Sequence, residues 1–355
     1  HIGGLEMKSQ ISKLRAYQPG LSPEGLKKKY GIAGELYKHA SNENVYGPSP
    51  LAKQAIKDHV DDLFLYPEPN APLLQQAIAS HYGVEPSQVI FGAGLDEMIV
   101  IISRTMVRAG DNIVTSEGTF GQYFHNATVE DAETIQVPLI EGAFDLDGIA
   151  EAVNEQTALV WICNPNNPTG TYHTHAEIEA FLEKIPKDVT VLFDEAYGEY
   201  VTAKDFPNTI ELMKKYDNIA MMRTFSKAYA LAGLRIGYLV ATAELAAQLN
   251  VLRPPFNTTR LSEQAALKAF EDQDYLQKVV ERNRIEREKF DGLETSVKLY
   301  PSETNFIFAQ TDRAKELDEQ LLQNGIIARG FPNGVRITLG FPEQNEVIRK
   351  VLQSF

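Results

Sequence analysis

The middle of the chain alternates short, continuously apolar runs with longer stretches in which apolar residues return every three or four positions. The runs are "SQVIFGAG", "DNIVTSE", "TALVWICNP", "VTVLFDEAY", "NIAMMRTFS" and "RIGYLVA". Strands that are apolar throughout, rather than at every second position, belong to a sheet covered by helices on both faces. Stretches such as "LDEMIVIISRTMV" and "THAEIEAFLEKI" supply those helices. The alternation predicts a mostly parallel, wound α/β sheet, in which ligands collect at the carboxyl ends of the strands. The runs end in loops rich in polar residues and glycine, and chemistry is expected there.

Further on the pattern changes. "LSEQAALKAFEDQDYLQKVVERNRIEREKFDGL" reads as long, polar and helical, with "ERNRIEREKF" as its solvent face. "NFIFAQ", "IIARGF" and "VRITLG" read as strands, with "AKELDEQLLQNG" as a helix among them. This predicts a smaller α/β lobe, residues 256–355 joined by 1–40, beside a large lobe spanning 41–255. A chain of 355 residues is long enough for two such bodies.

Composition narrows the partners. With 48 acidic and 34 basic residues the formal net charge is −14, which argues against a nucleic acid or an anionic membrane. An anionic small molecule remains possible where a few arginines gather. The single cysteine, Cys163, rules out an intrachain disulfide and suits a reducing cytoplasm; at a strand end it reads as a small buried hydrophobe. No apolar run has bilayer length and no secretory pattern opens the chain; "HIGGLE" before Met7 reads as a remnant of expression rather than structure. His173 and His175 lack a third nearby ligand and read as a loop entering a helix, so no metal is expected.

Four loops carry candidate chemistry. In "FGAGLDE", Gly92 and Gly94 follow a strand and open a helix, where free backbone N–H groups suit a phosphate. A nicotinamide fingerprint would need a third glycine where Glu97 stands. "CNPNNPTG" forces a tight polar turn that can aim Asn167 at a planar ligand. In "VLFDEAYGEY", Asp194 ends an apolar strand, where a carboxylate is costly to bury without a cation, and Tyr197 lies three residues on. In "MMRTFSKAYALAGLRIGY", Ser226 and Arg235 suit phosphate oxygens and Lys227 suits an imine with an aldehyde. Each loop alone also reads as ordinary structure: a strand-to-helix turn, an Asx-rich turn, a helix N-cap. Together they describe one molecule with a phosphate, an aldehyde, a ring oxygen and a protonated ring nitrogen, which is pyridoxal 5'-phosphate.

"NPTG", "FDEAY", "TFSK" and "AGLRIGY", in this order, resemble the fold type I pyridoxal-phosphate aminotransferases. More narrowly, "YQPG", "ASNENVYGPSP", "YPEP", "RPPFN" and "VRITLG" resemble the histidinol-phosphate aminotransferases. The resemblance covers nearly the whole chain and implies that family's fold, a large domain with a mostly parallel seven-stranded sheet plus a smaller C-terminal α/β domain. It implies that Lys227 carries the cofactor, Asp194 pairs with the pyridine nitrogen, and Asn167 and Tyr197 hold the ring hydroxyl. Phe120 falls where an aromatic stacks on the ring, and Gly94, Leu95 and Asp96 fall in the phosphate loop. Leu95 stands where the family commonly has a serine, so a backbone contact survives there and a hydroxyl contact does not. Tyr66 falls where a neighbouring subunit contacts the cofactor phosphate, implying a homodimer with shared active sites. Tyr17, Asn44, Arg329 and Arg336 fall at substrate positions, for a small-molecule amino donor and 2-oxoglutarate. Val45 replaces a usual proline, and Phe120 lacks a tyrosine's hydroxyl. The other functions open to such a fold are an aromatic amino acid aminotransferase, a phospho-amino-acid decarboxylase and a cofactor-sensing module of a transcriptional regulator. The last would need a basic DNA-binding segment, for which there is no room before "YQPG".

Overall fold

The computed structural model describes residues 6–355, so the reading of "HIGGLE" lies, but for Glu6, outside the described residues. Its centre is a seven-stranded sheet in the order Val89–Gly92, Gly237–Val240, Ile219–Thr224, Thr190–Asp194, Thr157–Cys163, Asn112–Ser116, Glu133–Val137. From Ile219–Thr224 to Glu133–Val137 every pairing is parallel, and Gly237–Val240 alone runs against both neighbours. Six strands answer to the six apolar runs. The seventh, Glu133–Val137, lies at the sheet edge with no fully buried residue, so a search for continuously apolar runs passes over it.

Two apolar clusters cover this sheet. One gathers Trp161, Ile162 and Phe193 with the helices Gly94–Met106 and His175–Glu183. The other gathers Phe91, Phe225 and Tyr238 with the helices Pro72–Tyr82, Arg260–Glu271 and Gln273–Glu288. Each fully buried large apolar side chain contributes about 1.5–3 kcal/mol, so the central strands are the least replaceable part of the chain. The parallel arrangement brings the carboxyl ends of the strands, and with them Gly92, Ser116, Cys163, Asp194 and Thr224, to one edge.

The long polar helix is two helices. Asp272 ends the first, and its carboxylate accepts the Tyr275 N–H at 3.3 Å to start the second. The "ERNRIEREKF" face is not all solvated: Glu286 and Arg287 are buried, because the following segment and the last helix pack over them. Arg287 pairs with Glu303 at 3.0 Å and Glu286 accepts from Asn345 at 3.0 Å.

A second, antiparallel sheet orders Arg329–Phe331, Gly334–Thr338, Phe306–Gln310 and Lys298–Leu299 over a third apolar cluster around Leu317, Ile337 and Ile348. The run "IIARGF" serves two sheets. Ile326–Ile327 pairs in parallel with Tyr37–Lys38, and Arg329–Phe331 joins the antiparallel sheet. The segment before the large sheet is thereby stitched onto this lobe. Among the described residues no helix is long and apolar enough to cross a membrane.

Candidate active site at the strand ends

The helix Gly94–Met106 begins with no side-chain cap, so its first N–H groups are free donors beside the sheet edge. Gly94 has φ 73°, a conformation that favours glycine, and a Cβ there would lie 2.4 Å from Arg235 Nη2 and displace that guanidinium. Arg235 Nη1 donates to Ser226 Oγ at 3.3 Å and to the Ala232 carbonyl at 2.9 Å, while Nη2 lies 3.9 Å from Asp96 Oδ2. Leu95 is buried in the core and offers only its backbone to the loop. Gly94 and Asp96 thus share one corner with Ser226 and Arg235, which lie far along the chain.

The neighbouring corner is built on Asp194. This carboxylate is buried at the strand end; Oδ2 accepts from the Tyr123 hydroxyl at 2.5 Å and Oδ1 from the Ala196 N–H at 3.1 Å. Among the described residues no cation pairs with it. Burial pushes its carboxyl up to about 6, although both donors favour the charged form. Tyr123 is fully buried, stacked on Trp161 at 4.6 Å, and its phenol is pushed upward first by burial and then by Asp194. Half-buried Phe120 meets Tyr123 edge-on at 5.7 Å. Tyr123 escaped the sequence reading, and its place three residues after Phe120 in "GTFGQY" was the available signal.

Tyr197 is buried, and its Oη accepts from Asn42 Nδ2 at 2.8 Å. Asn167 is half-buried, with Oδ1 accepting from Arg336 Nη1 at 2.7 Å. Lys227 is half-buried rather than enclosed. Its Nζ donates to the Ser41 carbonyl at 3.0 Å and lies 5.8 Å from the Tyr197 ring centroid.

Arg336 is buried against Phe306 and Phe331 and gives its Nη2 to the Ala40 carbonyl at 2.6 Å; Nε has no partner. Among the described residues no carboxylate pairs with it, and Arg329, its cross-strand partner in the antiparallel sheet, adds a second positive charge. Tyr17 is exposed and makes no hydrogen bond to Arg336 among the described residues. Asn44 spends its amide elsewhere, donating to the Ala228 carbonyl at 3.0 Å and accepting from the Tyr46 N–H at 3.0 Å. Tyr66 is 77% exposed and stacks on Phe256 at 4.8 Å on the outer surface. Among the described residues it makes no hydrogen bond or ring contact with the other site residues.

Behind the site lies a cluster the sequence reading missed. Arg223 binds buried Glu195 at 2.9 Å and half-buried Glu199, whose side chain is 7% exposed, at 2.9 Å, and Gly198 leaves room for it, since a Cβ there would meet Arg223 Cζ at 2.5 Å. The histidines serve local structure: His173 contacts Glu177 at 2.9 Å and the Phe144 carbonyl at 2.7 Å, and His175 accepts the Asn208 N–H at 3.0 Å. Cys163 is buried, which pushes its thiol up to about 12.

An uncapped helix start with a facing arginine, a buried lone carboxylate and a lysine at adjoining strand ends define a class of protein. The chain belongs to the aminotransferase class I and II family, whose model matches residues 36–352. It is 60% identical over 349 residues to the histidinol-phosphate aminotransferase of Staphylococcus haemolyticus, covering 98% of this chain and 99% of that protein. The same comparison with the histidinol-phosphate aminotransferase of Staphylococcus carnosus gives 60% over 350 residues, 98% of this chain and 99% of the relative. Among solved structures, the histidinol-phosphate aminotransferase of Sinorhizobium meliloti in complex with pyridoxal-5'-phosphate superimposes with a TM-score of 0.88 at 28% identity, over 100% of this chain and 98% of that one.

Proposed function

We propose that the protein is a pyridoxal 5'-phosphate-dependent histidinol-phosphate aminotransferase. It moves the amino group of L-histidinol phosphate to 2-oxoglutarate, giving imidazole acetol phosphate and L-glutamate, within histidine biosynthesis in the cytoplasm.

The residues present fit the cofactor. The observation that carries the reading is Asp194, a buried carboxylate without a cation, one strand away from an anion corner made by Gly94, Ser226 and Arg235. A group bearing both a phosphate and a protonated ring nitrogen satisfies the two together. Lys227 would carry it covalently, with the N–H groups of Gly94, Leu95 and Asp96 and the side chains of Ser226 and Arg235 on its phosphate. Asp194 would face the ring nitrogen, Asn167 and Tyr197 the ring oxygen, and Phe120 the ring itself.

What the bound cofactor supplies is an electron sink. Asp194, ionised, would hold a proton on the ring nitrogen. The Lys227 amine would take and return the proton at the substrate Cα. Arg336 and Arg329, with Tyr17, would orient the substrate and favour its phosphate or carboxylate charge. That division makes residues 41–255 the cofactor lobe, and residues 1–40 with 256–355 the lobe that holds substrate. Tyr66 would reach the phosphate of a second copy in a homodimer, and the exposed Leu63, Phe64 and Leu65 beside it supply apolar surface for that contact.

The test is kcat/KM for histidinol phosphate against phenylalanine with 2-oxoglutarate as acceptor. Histidinol phosphate is expected to win by about two orders of magnitude, the value of an unpaired buried cation finding its anion. A preference for phenylalanine would replace the substrate while leaving the chemistry.

A further inference from the structure

The segment ahead of the large sheet contributes a buried side chain that none of the assigned roles uses. Asn42 is 1% exposed and sits at φ 59°, a left-handed conformation that asparagine, aspartate and glycine accept best. Its backbone N–H donates to Thr338 Oγ1 at 3.0 Å, its carbonyl accepts from Asn305 Nδ2 at 2.9 Å, and its Oδ1 accepts from Thr338 Oγ1 at 2.8 Å. Thr338 and Asn305 belong to the smaller lobe, Thr338 two residues from Arg336. The remaining amide group, Nδ2, donates to Tyr197 Oη at 2.8 Å.

This arrangement has a direction. The opposite amide orientation would leave the buried Thr338 hydroxyl hydrogen without an acceptor among the described residues, so the oxygen of Asn42 faces Thr338 and the nitrogen faces Tyr197. An amide nitrogen only donates. Tyr197 must therefore accept, and its own hydroxyl hydrogen, which meets no protein acceptor among the described residues, is left to point elsewhere.

We propose that Asn42 is a positioning residue that fixes the Tyr197 hydroxyl as a donor toward the cofactor's ring oxygen and anchors that setting to the smaller lobe through Thr338. This rests on the site reading above, in which Tyr197 lies beside that oxygen. A donor on the ring oxygen stabilises its negative form and so loosens the hold on the proton at the neighbouring nitrogen of the Lys227 linkage. Losing the donor raises the pH at which that proton leaves.

The experiment is a pH titration of the visible absorbance of the protein loaded with pyridoxal 5'-phosphate. Asn42→Asp keeps the left-handed backbone and the Thr338 contact but turns a donor into an acceptor, drawing the Tyr197 hydrogen away from the ring. Its midpoint should rise by about 1–2 pH units, the value of one hydrogen bond to a charged group. Asn42→Gly, which tolerates the same φ and adds no charge, should rise by less. In a Tyr197→Phe background both shifts should vanish. An unmoved midpoint in both variants would overturn the proposal, as would an equal Asn42→Asp shift without the Tyr197 hydroxyl, which would mark a plain charge effect. Absence of any Lys227-dependent band in the unsubstituted protein would instead bring down the site reading and this proposal with it.

Discussion

Asp194 and Glu195 are consecutive carboxylates, both buried, at the end of one strand, yet their surroundings differ in kind. Glu195 meets Arg223 at 2.9 Å and accepts the Thr209 hydroxyl, while Asp194 has a phenol, an amide and no cation. The contrast repeats in the arginines: Arg223 holds two carboxylates, and buried Arg336 holds none. Adjacent strand positions face opposite ways, so one residue step separates an internally closed ion cluster from a site open to a ligand. Closed charge serves the fold; open charge, costly to bury, marks where a ligand of the opposite sign belongs.

Breaking the closed side should cost the most. Arg223→Met leaves buried Glu195 and half-buried Glu199 without their cation, and unfolding in denaturant should show a loss of about 3–5 kcal/mol. A loss below about 1 kcal/mol would place the cluster on the surface in energetic terms.

The open side should respond in the opposite direction. In the cofactor-free protein the Asp194 carboxyl titrates at about 6 in place of 3.8, so the folded chain binds the extra proton between those values. Stability then falls as pH rises through that window, and neutral Asp194→Asn should be more stable at pH 7 by up to about 3 kcal/mol. The same substitution in the loaded enzyme should slow turnover about a hundredfold, because a neutral partner no longer holds the ring nitrogen protonated. Equal unfolding curves across pH 4–7 for the two cofactor-free proteins would remove Asp194 from the open class.

Smaller effects sharpen the substrate end. Arg336→Met should lower kcat/KM for histidinol phosphate by about two orders of magnitude. Exposed Arg329→Ala should lower it about tenfold, mainly through KM, because its charge is partly screened by water. Reversed ranks would move the anion site outward.

The open side is more legible in the sequence than the closed one. Gly94, Asp194, Ser226, Lys227 and Arg235 stand in short local motifs at strand ends, where type and position together betray chemistry. Arg223 and Glu199 stand in the same motifs, but their pairing exists only after two strands align, 24 residues apart. Tyr123 meets Asp194 across 71 residues and Asn42 meets Tyr197 across 155, separations that no local pattern encodes. Lys227 is only half-buried although its neighbours are apolar, and its amine donates to the Ser41 carbonyl, a partner 186 residues away in sequence. Asn44, expected at the substrate, is spent on the Ala228 carbonyl next to that lysine.

The most direct measurement is covalent. Incubating the cofactor-free protein with pyridoxal 5'-phosphate, reducing with borohydride and mapping the peptides by mass should place one label on Lys227, with Asp194→Asn retaining less of it. Label scattered over surface lysines, or none at all, would contradict the claim that the open charges at the strand ends hold one ligand tethered there.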